Sequence, residues 1–390
     1  NFVMSKAYLI IVSFLACIFA VYIVLFIYTF LNFHNEFKYA FKSIEALNFH
    51  KKYSKKVHHL RDENILNVLF KKSKVEDLLF TTMNKLEDKE VIVLFQGDSW
   101  MAQLNWAAPD NFTSVKLVQN FKSEKKIGFV NAGVGSYSPS LMSVQLDVLE
   151  EDFKIFPNII IAYIDQTDIG DENCRYKNNK TYKNGILKSV RPDDHLMYRD
   201  IFNYTEIYGL SKISLSNSPK ILKTFQLINF KFKHGLAKSS IRFYRKYISQ
   251  SKSDKEKITK CYVPEIQKYL INPNETDIKY FADSIREYLK KIDQKRHVKK
   301  LFLVTAPHKK HFYKNLEQKN SYKVNVSDIV DSIIKDKKNV THINISKILL
   351  NDKNFNYENI WLDDEMHFNY DFYGKLFIQK ILDELSKYLL

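Results

Sequence analysis

The chain has 390 residues, 45% of them hydrophobic and 14% aromatic, which is ample material for a buried core. Nine Gly and eight Pro exclude collagen-like and linker-rich classes, and the absence of an internal period excludes solenoids and propellers. The net charge of +16 suits anionic partners, but the excess is mostly Lys in an Asn- and Ile-rich chain without a base-reading motif, so nucleic acid is not expected.

The first element is an uncharged run, AYLIIVSFLACIFAVYIVLFIYTF, over Ala7–Phe30. As a helix it extends about 36 Å, enough to cross a bilayer with some tilt. It is longer than a signal-peptide core, lacks an A-x-A site, and the residues before Cys17 fit a lipobox poorly. Residues 1–32 therefore read as a transmembrane signal anchor. Lys38, Lys42, Lys51, Lys52, Lys55 and Lys56 follow. The positive-inside rule would hold them in the cytoplasm, but it weakens about 20 residues from the span, where most of them lie.

Residues 33–88 are rich in Lys, Glu and His, with Ile65, Leu66, Val68, Leu69 and Phe70 at helical spacing, and read as a helical stalk. A domain over 89–390 follows. Its first strand is VIVLF at Val91–Phe95, a β-branched run typical of a buried parallel strand. Further strands are expected at Ile127–Asn131, Asn158–Ile164, Lys300–Thr305 and Val340–Ile345, with helical periodicity over Leu141–Asp152 and from about Tyr370 to Tyr388. Strands separated by helix-length segments predict an α/β fold with a five-stranded parallel sheet and helices on both faces. Residues 171–298 show little strand signal and read as a mainly helical insertion. Cys174 and Cys261 read as free thiols, since nothing in the sequence brings them together.

Ser99 follows the first strand directly, in Gly97-Asp98-Ser99-Trp100. A serine there sits at the mouth of the sheet, where its own backbone N–H can receive a developing oxyanion; the alternative is a serine that simply starts a helix. Near the other end, Asp364-Glu365-Met366-His367 sets a carboxylate and an imidazole three residues apart. The carboxylate could hold the ring tautomer and leave the other nitrogen as a base.

Taken together, these blocks resemble the SGNH/GDSL hydrolase family, over about Val91–Ile169 and Lys300–Leu390. The resemblance implies a flavodoxin-like three-layer α/β/α fold with Ser99 as nucleophile, His367 as base and Asp364 as its orienter. NAGVGSYSP at Asn131–Pro139 looks like the second block, in which a glycine N–H completes the oxyanion hole; that glycine aligns with Ser136, just after Gly135. The third block departs from the family. Its G-x-N-D becomes Asp165-Gln166-Thr167-Asp168, so Thr167 replaces the asparagine donor. Gln166 could substitute if it points inward; otherwise the chain is a slower enzyme or has lost catalysis.

The resemblance further implies acyl transfer through a seryl ester, ending on water or on a sugar hydroxyl. Together with the anchor it suggests an extracytoplasmic esterase or O-acyltransferase acting on O-acetyl groups of cell-surface carbohydrate. A lipid esterase and a binding protein without turnover are the alternatives. No cofactor is expected. His195 beside Asp193 and Asp194 has no second ligand set, so no metal is expected either. His308 and His311 read as solvated loop residues or substrate contacts, and Asp171, Glu172 and Arg175 as cleft residues or surface ion pairs. Lys220–Ile248 mixes basic and large apolar residues, as in a membrane-surface helix, a cap or a core helix pair.

Overall fold

The computed structural model describes residues 2–32, 45, 48–49, 52–53, 55–57, 74–105, 112–190, 209, 212–213, 216–243, 269–312, 322–351, 358–362 and 366–390. The chain divides into two compact units. One comprises Asn1–Lys51, Ile65–Val75 and Asp194–Ile258; the other comprises Lys52–Asn64, Glu76–Asp193 and Thr259–Leu390.

The first unit contains α1 (Phe2–Leu31), whose stretch Tyr8–Leu31 reaches a mean hydropathy of 3.1 over an 18-residue window with no residue in it fully buried. By length and composition this helix could cross a membrane. The stalk expected over 33–88 falls largely outside the described residues, Ile65–Phe70 included, and its described end is not a stalk: Leu78, Leu79 and Phe80 are buried, and Thr81 and Thr82 pair with Asn131 and Val130.

The second unit is built on a six-stranded sheet: β1 (Thr81–Thr82), β2 (Val91–Gln96), β3 (Ile127–Asn131), β4 (Ile159–Tyr163), β7 (Lys300–Thr305) and β8 (Val340–Asn344), in the spatial order β1-β3-β2-β4-β7-β8. All five expected strands are present and parallel, in register from Val93↔Ile159 to Leu301↔Val340. The sixth, β1, pairs antiparallel at the edge of β3. Two threonines are too short a run to show alternation, so this strand has no signature in the sequence.

Numbered among themselves, the parallel strands run 2-1-3-4-5, a doubly wound order whose switch point lies between β2 and β4. Val93, Phe95, Phe129, Ile161 and Phe302 face one side and pack with Phe377, Ile381 and Leu385 from the C-terminal helices. The other face is covered by α2 (Pro139–Phe153) and α3 (Glu275–Asp293), which pack on each other. Gln96 closes that face, accepting a hydrogen bond from Tyr288 Oη (2.8 Å) and donating to Met142 O (3.1 Å). Helix α3 therefore belongs to the sheet's own layers, although it falls within the stretch read as an insertion.

That stretch also holds a hairpin, β5 (Lys180–Lys183) and β6 (Ile186–Val190). Its turn residues, Asn184 and Gly185, both have positive φ (53° and 72°). Asn-Gly is the strongest short hairpin signal a sequence carries, so this element was legible there. Cys174 is disulfide-bonded, contrary to the free thiol expected, and Cys17 is free.

Candidate active site

Strand β2 ends at Gln96, and the chain turns at Gly97 with φ +142°, where a Cβ would stand 2.9 Å from that of Tyr163. Only glycine tolerates both the conformation and the approach. Asp98 then caps the helical turn Ser99–Ala102, its Oδ1 accepting from Trp100 N at 2.9 Å. Ser99 is thereby the first residue of the turn, with a backbone N–H that the helix leaves unpaired.

His367 arrives from the far end of the chain. Its Nε2 lies 2.7 Å from Ser99 Oγ, across 268 residues of sequence. With Nε2 unprotonated, the serine hydroxyl donates to it, the arrangement a base needs to take that proton. Behind the ring, the Trp361↔Phe368 bridge, the Leu362 N to His367 O bond (2.8 Å) and the Gln103 Nε2 to Phe368 O bond (2.7 Å) hold the segment in place. Asp364, the expected orienter, lies outside the described residues.

The loop after β3 is tied to the same turn. Val134 N donates to Gly97 O (3.0 Å) and Asn131 Nδ2 to Met101 O (2.9 Å). A Cβ on Gly133 would stand 2.4 Å from Ala102 N, so the two backbones touch. Ser136 sits in this loop at φ +59°. Its carbonyl accepts from Tyr176 Oη (2.6 Å) and its Oγ from Arg175 Nη1 (2.6 Å), whose guanidinium also pairs with Asp171 at 3.1 Å. Gly135 and Ser136 are both partly exposed, so the expected backbone donors stand in an accessible loop beside the serine turn.

The third block behaves differently from either substitute considered for its missing asparagine. Gln166 is buried and spends its amide on backbone, donating to Val324 O (2.8 Å) and accepting from Val326 N (3.1 Å). It therefore does not point into the site. Thr167 gives both its hydroxyl and its N–H (3.1 Å) to Asp165 Oδ2. That hydroxyl is committed to the loop's own turn.

Asp165 is the hub beneath the site. Its Oδ1 receives Tyr163 Oη (3.1 Å) and pairs with His308 Nε2 at 2.7 Å, with the His308 side chain wholly buried. His308 is thus no solvated loop histidine. Its ring lies parallel to Trp100 (centroids 6.5 Å apart, 6°), and the same indole also packs with Tyr163 (5.1 Å) and His367 (5.9 Å). His311 is also withdrawn from water, its Nδ1 accepting from His308 N at 2.9 Å. Burial and then the neighbouring His308 push it down to about 3.

Asp171 and Glu172 are buried rather than surface ion-pair residues. Glu172 accepts from Ser138 Oγ (2.6 Å), Ser140 N and Oγ (2.8 Å each) and Ser284 Oγ (3.1 Å), and pairs with Lys180 at 2.8 Å. It therefore staples the start of α2 to α3 and to the hairpin. His195 and its acidic neighbours lie outside the described residues, and no group of metal-ligating side chains occurs among those described.

The buried acids divide by partner. Burial would raise Asp165, but His308 and the Thr167 hydroxyl hold it below the usual carboxylate range. Burial, then repulsion from Asp165, pushes Asp98 well above that range; burial and then Asp98 do the same to Asp168. Asp171 is pushed up to about 7 by burial, against the pull of Arg175. Two surface clefts of about 450 and 470 Å³, lined in part by Lys116 and Gln379 and by His342 and Lys380, include none of these groups.

No protein-family model and no curated protein matches the chain. Among solved structures it is similar to a mutant of Axe2, an acetyl-xylooligosaccharide esterase from Geobacillus stearothermophilus, at 11% identity and a TM-score of 0.38, over 76% of this chain and 95% of that one. It is also similar to a Streptococcus pneumonia protein described as a platelet activating factor, at 13% identity and a TM-score of 0.35, over 79% and 88%. Overlaps this loose carry no weight for function. The site's own geometry must carry it.

Proposed function

We propose that the chain is a membrane-anchored SGNH-type serine hydrolase acting on carbohydrate O-esters, O-acetyl groups at the cell surface first among them. The observation that carries this reading is the 2.7 Å approach of His367 Nε2 to Ser99 Oγ at the carboxyl ends of the strands, beside the switch point between β2 and β4. In this reading residues 1–32 anchor the chain, and the unit built on the six-stranded sheet, β1 at Thr81–Thr82 included, carries the chemistry. The disulfide at Cys174 favours an oxidising, extracytoplasmic compartment.

Ser99 Oγ attacks the ester carbonyl carbon as its proton passes to His367 Nε2. The carbonyl π-bond opens onto oxygen, and the oxyanion is received by the N–H groups of Ser99 and of Gly135 or Ser136. Collapse expels the sugar alkoxide, which takes the proton from His367 and leaves an acetyl ester on Ser99. Water, or a second sugar hydroxyl, then repeats the attack with His367 as base, giving hydrolysis or O-acyl transfer. Asp364 orients the imidazole. With Thr167 and Gln166 committed elsewhere, the hole has two backbone donors and no side-chain donor.

That same shortage favours a second reading, a slow or inactive SGNH-fold protein that holds carbohydrate without turning it over. p-Nitrophenyl acetate turnover by the detergent-solubilised full chain separates the two. The enzyme reading expects release of nitrophenolate that Ser99→Ala abolishes while thermal unfolding stays unchanged. Equal rates for both proteins would leave the binding reading. A lipid esterase would instead prefer long acyl chains.

A further inference from the structure

Helix α4 (Lys220–Phe243) lies in the first unit and carries an apolar stripe outside the site. Ile221, Phe225, Ile228, Phe232 and Leu236 recur every three or four residues and therefore share one face. Phe232 is 66% exposed, Ile221 57% and Leu236 53%, whereas Thr224 and Leu227 on another face are wholly buried. Large apolar side chains lined up in the open are costly in water.

Two observations identify what covers them. The stripe is continuous with the apolar surface of α1: Phe225 packs on Tyr22 and Phe26 (centroids 6.2 and 4.5 Å), and Lys220 Nζ stands 4.2 Å over the Phe30 ring. Those α1 residues occupy the last turns before the apolar stretch ends at Leu31. The second observation is charge. Residues 220–243 include Lys220, Lys223, Lys231, Lys233, Lys238 and Arg242 and no acid. Lys231 and Lys233 flank Phe232, each about 100° around the helix from it, so their stems can lie along an apolar boundary while the ammonium groups reach phosphate.

We infer that α4 is an interfacial helix that beds Ile221, Phe225, Phe232 and Leu236 into an anionic phospholipid surface at the point where α1 leaves the membrane. This rests on reading α1 as a membrane span. The helix would hold the adjoining chain close to the bilayer, and its partner is the phosphate headgroup layer.

The test uses the full chain carrying Cys17→Ser and Phe232→Cys, labelled at residue 232 with an environment-sensitive fluorophore. It is reconstituted in vesicles of phosphatidylcholine with or without phosphatidylglycerol. The inference expects quenching by a lipid-borne nitroxide and shielding from aqueous iodide, both stronger with phosphatidylglycerol. Lys231→Gln with Lys233→Gln should weaken docking about fivefold per charge. A label as open to iodide as one at the exposed Tyr182 overturns the inference. A label that is dry but indifferent to lipid quencher and lipid charge also overturns it, in favour of a protein contact. Co-flotation of the unlabelled chain with vesicles after an alkaline wash reports α1 separately. Its loss removes both readings, whereas its retention beside a wet label removes only this one.

Discussion

His308 Nε2 stands 2.7 Å from Asp165 Oδ1, joining the loop after β7 to the loop after β4 with both side chains out of reach of water. A buried pair of this kind adds little over a well-packed apolar pair, but removing one partner strands the other's charge. His308→Phe should therefore destabilise the chain by about 3–5 kcal/mol. Adding Asp165→Asn to it should restore part of the loss. Urea unfolding of the three detergent-solubilised proteins measures this, and strictly additive losses would show that the two groups are not coupled.

Thr167 gives its hydroxyl to Asp165. If it contributes nothing to the oxyanion, Thr167→Val should lower kcat by only about threefold, against the 10²–10³ expected for losing a true donor. Steady-state kinetics on p-nitrophenyl acetate decide between these values. A loss of the larger size would return Thr167 to the oxyanion hole.

Gly133→Ala tests the contact between the second loop and the Ser99 turn. The added Cβ meets backbone at Ala102 N and Met101 C, both 2.4 Å away, which no rotamer change relieves. A stability loss of about 1–3 kcal/mol is expected, together with a fall in kcat as Ser99 is displaced from His367. Unchanged kcat in a folded variant would mean that the loop and the turn move independently.

The raised acids predict a pH trend. Asp171, at about 7 in the folded chain, holds a proton there that the unfolded chain releases near 3.9. Between those values the folded state binds more protons, so this group's contribution to stability falls as pH rises from about 4 to about 7 and is level above that. His311, pushed down to about 3, acts in the opposite sense between about 3 and 6.5, and Asp98 and Asp168 are raised as well, so the wild-type curve alone mixes several groups. The difference between wild type and Asp171→Asn isolates the first term. It should move against wild type by up to about 4 kcal/mol from pH 4 to pH 7, read from urea midpoints at each pH. A difference independent of pH would show that Asp171 ionises normally.

The five parallel strands and the two motifs at the ends of the candidate site were legible in the sequence. β-branched runs such as VIVLF and IIIAY are buried on both faces of a parallel sheet, so their hydrophobicity is continuous and local. That Ser99 and His367 should be examined together was legible because a serine at a strand's end and an imidazole in a terminal loop each sit in short, dense motifs. The other features depend on contacts between segments far apart in the chain. Whether Gln166 points inward depends on Val324 and Val326, 158 and 160 residues away; whether His308 is solvated depends on Asp165, 143 residues away. Glu172 shows the same dependence, since its four partner residues are Ser138 and Ser140 at the start of α2, Lys180 of the hairpin and Ser284 of α3. Burial and hydrogen-bond partnership are properties of what packs around a side chain, and a linear pattern encodes only what lies beside it.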